Sequence, residues 1–106
     1  MQGAAIRVPT PNVSLVDLTF VSKKPVIADV VNAALGEAAA GPMKGVLATS
    51  EEPLVSIDFN HRCESSIADL TQTKVTGENL VHVASWYDNE WGFSCRMLDM
   101  AKRVMA

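Results

Sequence analysis

Two side chains in this sequence carry groups suited to binding a small polar ligand. Arg7 stands before a proline-rich stretch, and its planar guanidinium can hold two phosphate oxygens at once. Asn89 stands near the other end of the chain, and its amide can donate and accept hydrogen bonds together. Residue type alone also allows plainer roles, because a rim arginine commonly pairs with a carboxylate and an asparagine before a helix commonly caps it. Both residues are therefore candidates whose roles depend on their surroundings.

The thiols and imidazoles offer weaker possibilities. His61, Cys63 and His82 carry zinc-ligand atoms, but zinc needs further ligands at workable spacing and the sequence supplies only scattered carboxylates. Cys63 and Cys95 are too few for a disulfide scaffold, and neither belongs to a Cys-x-x-Cys pair. We therefore predict no metal site, and we expect reduced thiols, with Cys63 in a surface loop and Cys95 on a helix as a small residue of the protein core.

The composition is typical of an ordinary globular domain. The chain has 106 residues, 48% of them hydrophobic, and a net charge of −3. No segment is rich enough in lysine and arginine to bind a phosphate backbone, so nucleic acid is not an expected partner. No apolar run approaches the roughly 20 residues that span a bilayer, and the start lacks signal-peptide features. We expect one soluble, cytoplasmic domain with no membrane partner.

The first half of the sequence predicts a strand followed by a helix. Residues 4–20 are rich in β-branched side chains, and Pro9 and Pro11 predict a kink in one long strand at a sheet edge. Pro25 can open a helix whose apolar side chains recur at helical spacing. Gly41 and the proline after it should end that helix.

The second half predicts mostly strands. Three short strands are expected at residues 45–49, 54–59 and 66–75, and a turn at 76–79 leads into a stronger strand at 80–87. The order lacks the regular alternation of a parallel βαβ fold. It predicts an α+β domain with a mostly antiparallel sheet and helices packed on one face.

A final amphipathic helix should begin near Asp88 or Asn89, either of which could cap it. We expect its apolar stripe to cover the sheet. The aromatic side chains near its start are assigned to the core, because aromatics on strands and amphipathic helices usually pack there. These are Trp86, Tyr87 and Trp91.

Four stretches together resemble one family. Residues 7–18 read RVPTPNVSLVDL and residues 85–94 read SWYDNEWGFS, with GPMKG at 41–45 and SIDFN at 56–60 between them. All four resemble glyceraldehyde-3-phosphate dehydrogenases in the same order. The resemblance covers nearly the whole chain.

The resemblance implies a domain that lacks most of the reactive machinery. Family members have a Rossmann domain and an antiparallel catalytic domain, and residues 1–106 resemble the carboxy-terminal portion of the latter. The six glycines form no G-x-G-x-x-G fingerprint, and neither cysteine has the family's Ser-Cys-Thr-Thr-Asn setting. We therefore expect no catalytic residue and no Rossmann domain here. The implied reaction is NAD-dependent, phosphorylating aldehyde oxidation, which this chain alone should not perform.

The resemblance also implies roles for individual residues. Arg7 matches an arginine that binds the substrate phosphate, and Asn89 matches the asparagine that bonds the nicotinamide carboxamide of NAD. Glu90 and Phe93 flank that contact, and the family often has tyrosine in place of Phe93. The full-length enzyme would use NAD or NADP, and neither is expected to stay bound to this chain alone.

Two alternatives share these features. Erythrose-4-phosphate dehydrogenase has a similar segment near Asn89, although residues 10–12 and 86–88 look more like the glyceraldehyde enzyme. The chain could also be a non-catalytic oligomerisation module, because the family's catalytic sheet builds contacts between subunits. We expect a homo-oligomer, dimeric or larger.

Overall fold

A computed structural model describes residues 2–106, and Met1 lies outside the described residues. The chain forms one four-stranded sheet with two helices and a short 3₁₀ turn. In chain order the elements are β1 (Ser14–Val21), α1 (Ala28–Ala40), β2 (Leu47–Ser50), the 3₁₀ turn (Ser56–Phe59), β3 (Ser66–Thr76), β4 (Leu80–Tyr87) and α2 (Trp91–Met105). The strands lie in the order β1-β4-β3-β2.

The sheet is mixed, with antiparallel pairing at its centre. β1 pairs antiparallel with β4 over its full length, from Ser14 opposite Tyr87 to Val21 opposite Leu80. β4 also pairs antiparallel with β3 through a tight turn in which Gly77 has a φ of 64°. β2 runs parallel to β3 at the edge. The predicted α+β class with a mostly antiparallel sheet is thus confirmed, and the parallel edge is the departure from it.

The core lies where the sheet meets the 3₁₀ turn. Val13, Phe59 and Ile67 form a buried cluster, and Trp86 packs against it. The rings of Phe59 and Trp86 are stacked with centroids 5.4 Å apart. Because Trp86 is near the end of β4, this packing holds the start of the following segment against the rest of the domain.

A buried carboxylate accompanies an irregularity in the middle of the sheet. The register between β3 and β4 shifts between Asp69 and Lys74. Asp69 is buried there and accepts hydrogen bonds from both the N–H and the hydroxyl of Thr71. The indole N–H of Trp86 donates to its other oxygen at 3.1 Å. The core tryptophan therefore has its polar atom satisfied, as a buried indole requires.

The helix α1 packs on β2 and β3. Its Asn32 side-chain amide donates to the carbonyl of Leu70 on β3 at 3.2 Å. The helix ends at Ala40, directly before Gly41, as predicted. It begins at Ala28, three residues after Pro25, because Ile27 is still in extended conformation. The prediction of this element is confirmed apart from its first turn.

The helix α2 does not bury its apolar stripe. The side chains of Met97, Leu98 and Val104 are exposed, the last of them by 80%. The expectation that this stripe covers the sheet is therefore wrong for the chain by itself. Neither helix in the described residues is long and apolar enough to cross a membrane.

Two predicted strands differ from the structure. Residues 4–12 are not in a strand, so the expected long strand is reduced to β1. The left-handed φ of 72° at Val13 separates the two parts and turns the backbone. Residues 56–59 form the 3₁₀ turn where a strand was predicted, because the carboxylate of Asp58 accepts the N–H of Val55 at 2.8 Å and closes a local turn.

Substituting the two helical glycines should distinguish open from crowded helix surface. A Cβ on Gly36 would meet nothing within 4 Å, whereas one on Gly92 would lie 3.2 Å from the carbonyl oxygen of Glu64. We expect Gly36→Ala to raise the free energy of unfolding by about 1 kcal/mol through helix propensity. Gly92→Ala should give no gain or a loss, since the Glu64 carbonyl would have to move. Urea unfolding monitored by circular dichroism measures both, and equal stabilisation would show that α2 has room at Gly92.

Candidate functional site

A buried carboxylate at the end of β4 joins three segments of the chain. The side chain of Asp88 is only 2% exposed. Its Oδ2 accepts the side-chain N–H of Asn12 and the backbone N–H of His61, each at 2.9 Å. Its Oδ1 accepts the backbone N–H groups of Glu90 at 3.2 Å and Trp91 at 2.9 Å. We call this cluster the Asp88 junction.

The Asp88 junction also includes the amino-terminal end of α2. The carbonyl of Asp88 accepts the N–H of Gly92 at 3.0 Å, a helical bond, so Asp88 acts as the helix N-cap. The prediction that Asp88 could cap this helix is confirmed. Asn89 follows the cap and is exposed, and its side chain makes no hydrogen bond within residues 2–106. Its predicted capping role is therefore wrong.

Asn12 ties the amino-terminal segment to the junction. Its side-chain amide donates to Oδ1 of Asn60 at 2.6 Å as well as to Asp88. The next residue, Val13, is buried in the core cluster. The segment before β1 is thus held at Asn12 and Val13, beside the start of α2.

Arg7 lies on this amino-terminal segment, five residues before Asn12. It is exposed, and within residues 2–106 no carboxylate forms a salt bridge with its guanidinium. A chain of five residues spans at most roughly 17 Å. Arg7 therefore lies within roughly 17 Å of Asn12, and no hydrogen bond or salt bridge within residues 2–106 links its side chain to Asn89.

Glu90 and Phe93 occupy the first turns of α2. The backbone of Glu90 takes part in the cap, donating its N–H to Asp88 and accepting the hydroxyl of Ser94 at 2.9 Å. Phe93 is 65% exposed. Both side chains face solvent beside Asn89, where they could line one wall of a binding surface.

The electrostatics of Asp88 favour the charged form. Burial raises the pKa of Asp88, but the hydrogen bonds from Trp91, His61, Asn12 and Glu90 outweigh it, and the net pKa is lowered. A carboxylate that stays charged and accepts hydrogen bonds from fixed donors at both oxygens has a structural role, because it holds the donor segments together. It is not suited to donate or remove a proton in a reaction.

The two imidazoles belong to separate networks. His61 stacks on Trp91 with ring centroids 4.3 Å apart. His82 lies on β4, where its Nε2 is 2.7 Å from Oδ1 of Asp17 and its Nδ1 is 3.1 Å from the carbonyl of Gln72. The described part of the chain has no group of three or more histidine, cysteine or acidic side chains that could hold a metal ion.

The assignments of aromatic residues and cysteines are only partly right. Trp86 packs on the core as predicted, but Trp91 is 44% exposed and covers His61. Tyr87 is half-buried. Cys63 is exposed, as expected for a surface loop, whereas Cys95 is half-buried and outside the core. These side chains stay partly exposed because α2 packs on no other helix or strand of the domain over a large area.

Sequence reasoning missed the partner of Asp88. Asn12 lies inside the RVPTPNVSLVDL stretch and Asp88 inside SWYDNEWGFS, so two of the four stretches that carried the resemblance are joined by this side-chain hydrogen bond in addition to the pairing of β1 with β4. The available signal was that both stretches contain short polar side chains next to strands. Nothing in the spacing could pair residues 76 positions apart.

Comparisons with known proteins agree with these motifs. A family model described as "Glyceraldehyde 3-phosphate dehydrogenase, C-terminal domain" matches residues 1–89. A glyceraldehyde-3-phosphate dehydrogenase of Cereibacter sphaeroides is 54% identical over 101 residues, which are 95% of this chain and 30% of that protein. The chromosomal enzyme of Cupriavidus necator is 57% identical with the same coverage, and the chloroplastic A enzyme of Chlamydomonas reinhardtii is 52% identical over 96% of this chain and 27% of its own length. The chain thus spans less than a third of the length of these relatives.

Removing the Asp88 carboxylate should destabilise the fold. We expect Asp88→Ala to lower the free energy of unfolding by about 3 kcal/mol near pH 7, because a helix cap and two further hydrogen bonds to a buried charge are lost. Asp99→Ala is the matched control on the same helix, since Asp99 is exposed and only ion-paired with Arg96. It should cost less than about 0.5 kcal/mol. Urea unfolding measures both.

The same pair of variants tests the charge on Asp88. The pKa of Asp88 is lower in the folded state than in the unfolded state. Its carboxylate therefore stabilises the fold at pH values above the unfolded-state pKa, and this stabilisation is lost as the pH falls through the folded-state pKa. The difference in the free energy of unfolding between wild type and Asp88→Ala should therefore shrink as the pH is lowered from about pH 5 to pH 2. A difference that stays constant or grows on acidification would contradict a charged anchor.

Proposed function

The chain belongs to the glyceraldehyde-3-phosphate dehydrogenase family, and on that premise we propose that it supplies part of a substrate and cofactor site. In the proposal, Arg7 binds the substrate phosphate and Asn89 binds the nicotinamide of NAD or NADP. The full-length enzyme oxidises and phosphorylates glyceraldehyde 3-phosphate, and this chain alone is inactive.

One observation carries the proposal, namely the hydrogen bond from Asn12 to Asp88 at 2.9 Å. It fastens the segment that bears Arg7 to the residue directly before Asn89. Two groups that must reach opposite ends of one substrate–cofactor pair need such a common anchor, because positional errors of about 1 Å are costly in catalysis.

The surroundings of Arg7 suit an anion. Its guanidinium is exposed and has no carboxylate partner among the described residues, so its fork of donors is available to a phosphate. A bidentate contact would hold the sugar phosphate in a defined orientation. Arg7 would thereby act on the reaction by positioning the substrate.

The surroundings of Asn89 suit a carboxamide. Because Asp88 caps α2, the amide of Asn89 is not used by the helix and faces solvent. An amide can donate to the oxygen and accept from the nitrogen of another amide, which fits the carboxamide of a nicotinamide ring. The bound cofactor would supply the hydride acceptor. The role of Asn89 would be to fix which ring face meets the substrate.

The proposed inactivity of the isolated chain rests on its thiols. Covalent aldehyde oxidation needs a thiolate with a base in reach. Within residues 2–106 neither Cys63 nor Cys95 makes a hydrogen bond with an imidazole or a carboxylate, and the ring of His61 is stacked on Trp91. Neither thiol is therefore set against a base in the way such a nucleophile requires.

Exposed apolar surface favours a second role in subunit assembly. All of β1 is exposed, including Val16, Leu18 and Phe20. Val16 and Leu18 also line an apolar groove of about 430 Å³ beside Leu35 of α1 and Val83 of β4. Surface of this kind drives association. It would serve the full-length enzyme, and it would equally serve the alternative of a non-catalytic oligomerisation module.

Light scattering on the isolated chain tests the assembly role. We expect a dimer or larger species, because the exposed face of β1 can be covered by a second copy. Val16→Asp should shift the chain toward monomer, and Asp29→Ala, an exposed change on α1, should not. A clean monomer for the unaltered chain at high concentration would contradict this role.

Variants of the full-length enzyme that carries this segment test the two contacts. Arg7→Ala should raise KM for glyceraldehyde 3-phosphate and Asn89→Ala should raise KM for NAD, each lowering kcat/KM at least about tenfold. Exposed controls are Arg103→Ala and Asn79→Ala, which should leave both parameters nearly unchanged. Assay of erythrose 4-phosphate beside glyceraldehyde 3-phosphate decides between the two aldehydes, and the names of the relatives favour the latter. Wild-type kinetics for Arg7→Ala and Asn89→Ala would refute the assignments.

A further inference from the structure

The loop at residues 61–65 lies along the first turns of α2. At one end, the rings of His61 and Trp91 are stacked with centroids 4.3 Å apart. Further along, a Cβ on Gly92 would be 3.2 Å from the carbonyl oxygen of Glu64, so helix and loop backbones are in direct contact. The absence of a side chain at Gly92 permits this approach.

Each of the two cysteines belongs to one side of this contact. Cys63 lies in the loop between the residues that touch Trp91 and Gly92. Cys95 follows Trp91 by four residues and Gly92 by three, so it is on the same face of the helix. One residue beyond it, Nη1 of Arg96 is 3.5 Å from the hydroxyl of Ser65. The loop is therefore in contact with the helix on both sides of Cys95.

The loop and helix contacts on both sides of Cys95 place the two thiols near each other. The proximity of the Cys63 thiol raises the pKa of the Cys95 thiol above its ordinary value. Cys63 is exposed and Cys95 is half-buried. A reagent from solvent would consequently reach Cys63 first, with Cys95 behind it as a second thiol.

We infer that Cys63 and Cys95 form an oxidisable dithiol, which closes to an intramolecular disulfide when the chain meets a hydroperoxide. A disulfide needs the two Cα atoms within about 7 Å, a spacing compatible with backbones already in contact one turn away. This site is separate from Arg7 and Asn89 and does not depend on the proposed dehydrogenase role.

The reaction balances in two steps. The Cys63 thiolate attacks the peroxide, the O–O bond breaks, and a sulfenic acid and one water form once the leaving oxygen is protonated. The Cys95 thiol then attacks the sulfenic sulfur, forming the S–S bond and releasing a second water. Two thiols are oxidised by two electrons and one hydrogen peroxide is reduced to two waters.

Closing the bond would lock the Asp88 junction. The same loop supplies the His61 N–H that donates to Asp88, and the same helix begins at that residue. A covalent link between Cys63 and Cys95 would hold loop and helix together even if those hydrogen bonds opened. The oxidised chain should therefore melt at a higher temperature than the reduced one.

Peptide mapping of the full chain tests the inference. The dilute, reduced chain is treated with a slight excess of hydrogen peroxide near neutral pH, remaining thiols are alkylated, and peptides are analysed without reduction. We expect both thiols to be lost together and residues 63 and 95 to appear in one linked peptide that dithiothreitol separates. Two alkylated thiols, links only between different chains, or an overoxidised Cys63 beside a free Cys95 would each overturn the inference.

Single substitutions distinguish the roles of the two thiols. In Cys95→Ser the sulfenic acid on Cys63 should persist and react with dimedone, because no second thiol resolves it. In Cys63→Ser the thiol of Cys95 should react with peroxide several-fold more slowly than Cys63 does in Cys95→Ser. Equal rates would contradict the order of attack, while the linked peptide in the unaltered chain decides the inference even if a variant folds poorly.

Discussion

The structure depends on the burial of one charged carboxylate. Taking a carboxylate out of water is costly unless fixed donors replace the solvent. Asp88 meets this requirement with four donors, drawn from the segment before β1, from His61 in the loop after the 3₁₀ turn and from the start of α2. The first two of those segments are outside the regular helices and strands. Their relative positions follow from the need to satisfy that one group.

This constraint distinguishes the side chains that hold the fold together from the two to which we assign the proposed binding roles. Asp88 caps α2, so the neighbouring Asn89 is left with an unused amide. Asn12 holds the segment before β1 in place, and Arg7 on that segment has no salt-bridge partner within residues 2–106. The two proposed binding groups are thus free of partners within the described part of the fold. Such an arrangement favours ligand binding, because a side chain already satisfied within the protein would have to give up a partner to bind.

The domain leaves much apolar surface uncovered. One helix packs on the sheet, while β1 and the stripe of α2 face solvent. Exposed apolar surface of this kind favours association. α2 contacts the rest of the domain through the loop at 61–65 and through Arg96, which donates to the carbonyl of Gly45 at 2.8 Å. The contact with the loop also places the two thiols near each other.

What the sequence by itself determined was local. The hairpin around Gly77, the strand β4, the end of α1 at Gly41 and a helix cap at either Asp88 or Asn89 follow from side-chain periodicity and turn chemistry within a few residues. The motifs around Arg7 and Asn89 indicated the family in the same way. Only the tertiary structure decided the parallel edge strand, the Asn12–Asp88 bond, the exposure of α2 and the contact of the loop at 61–65 with α2. Each of these joins residues far apart in the chain, and no local propensity specifies which distant partner will satisfy a buried charge or cover an apolar face.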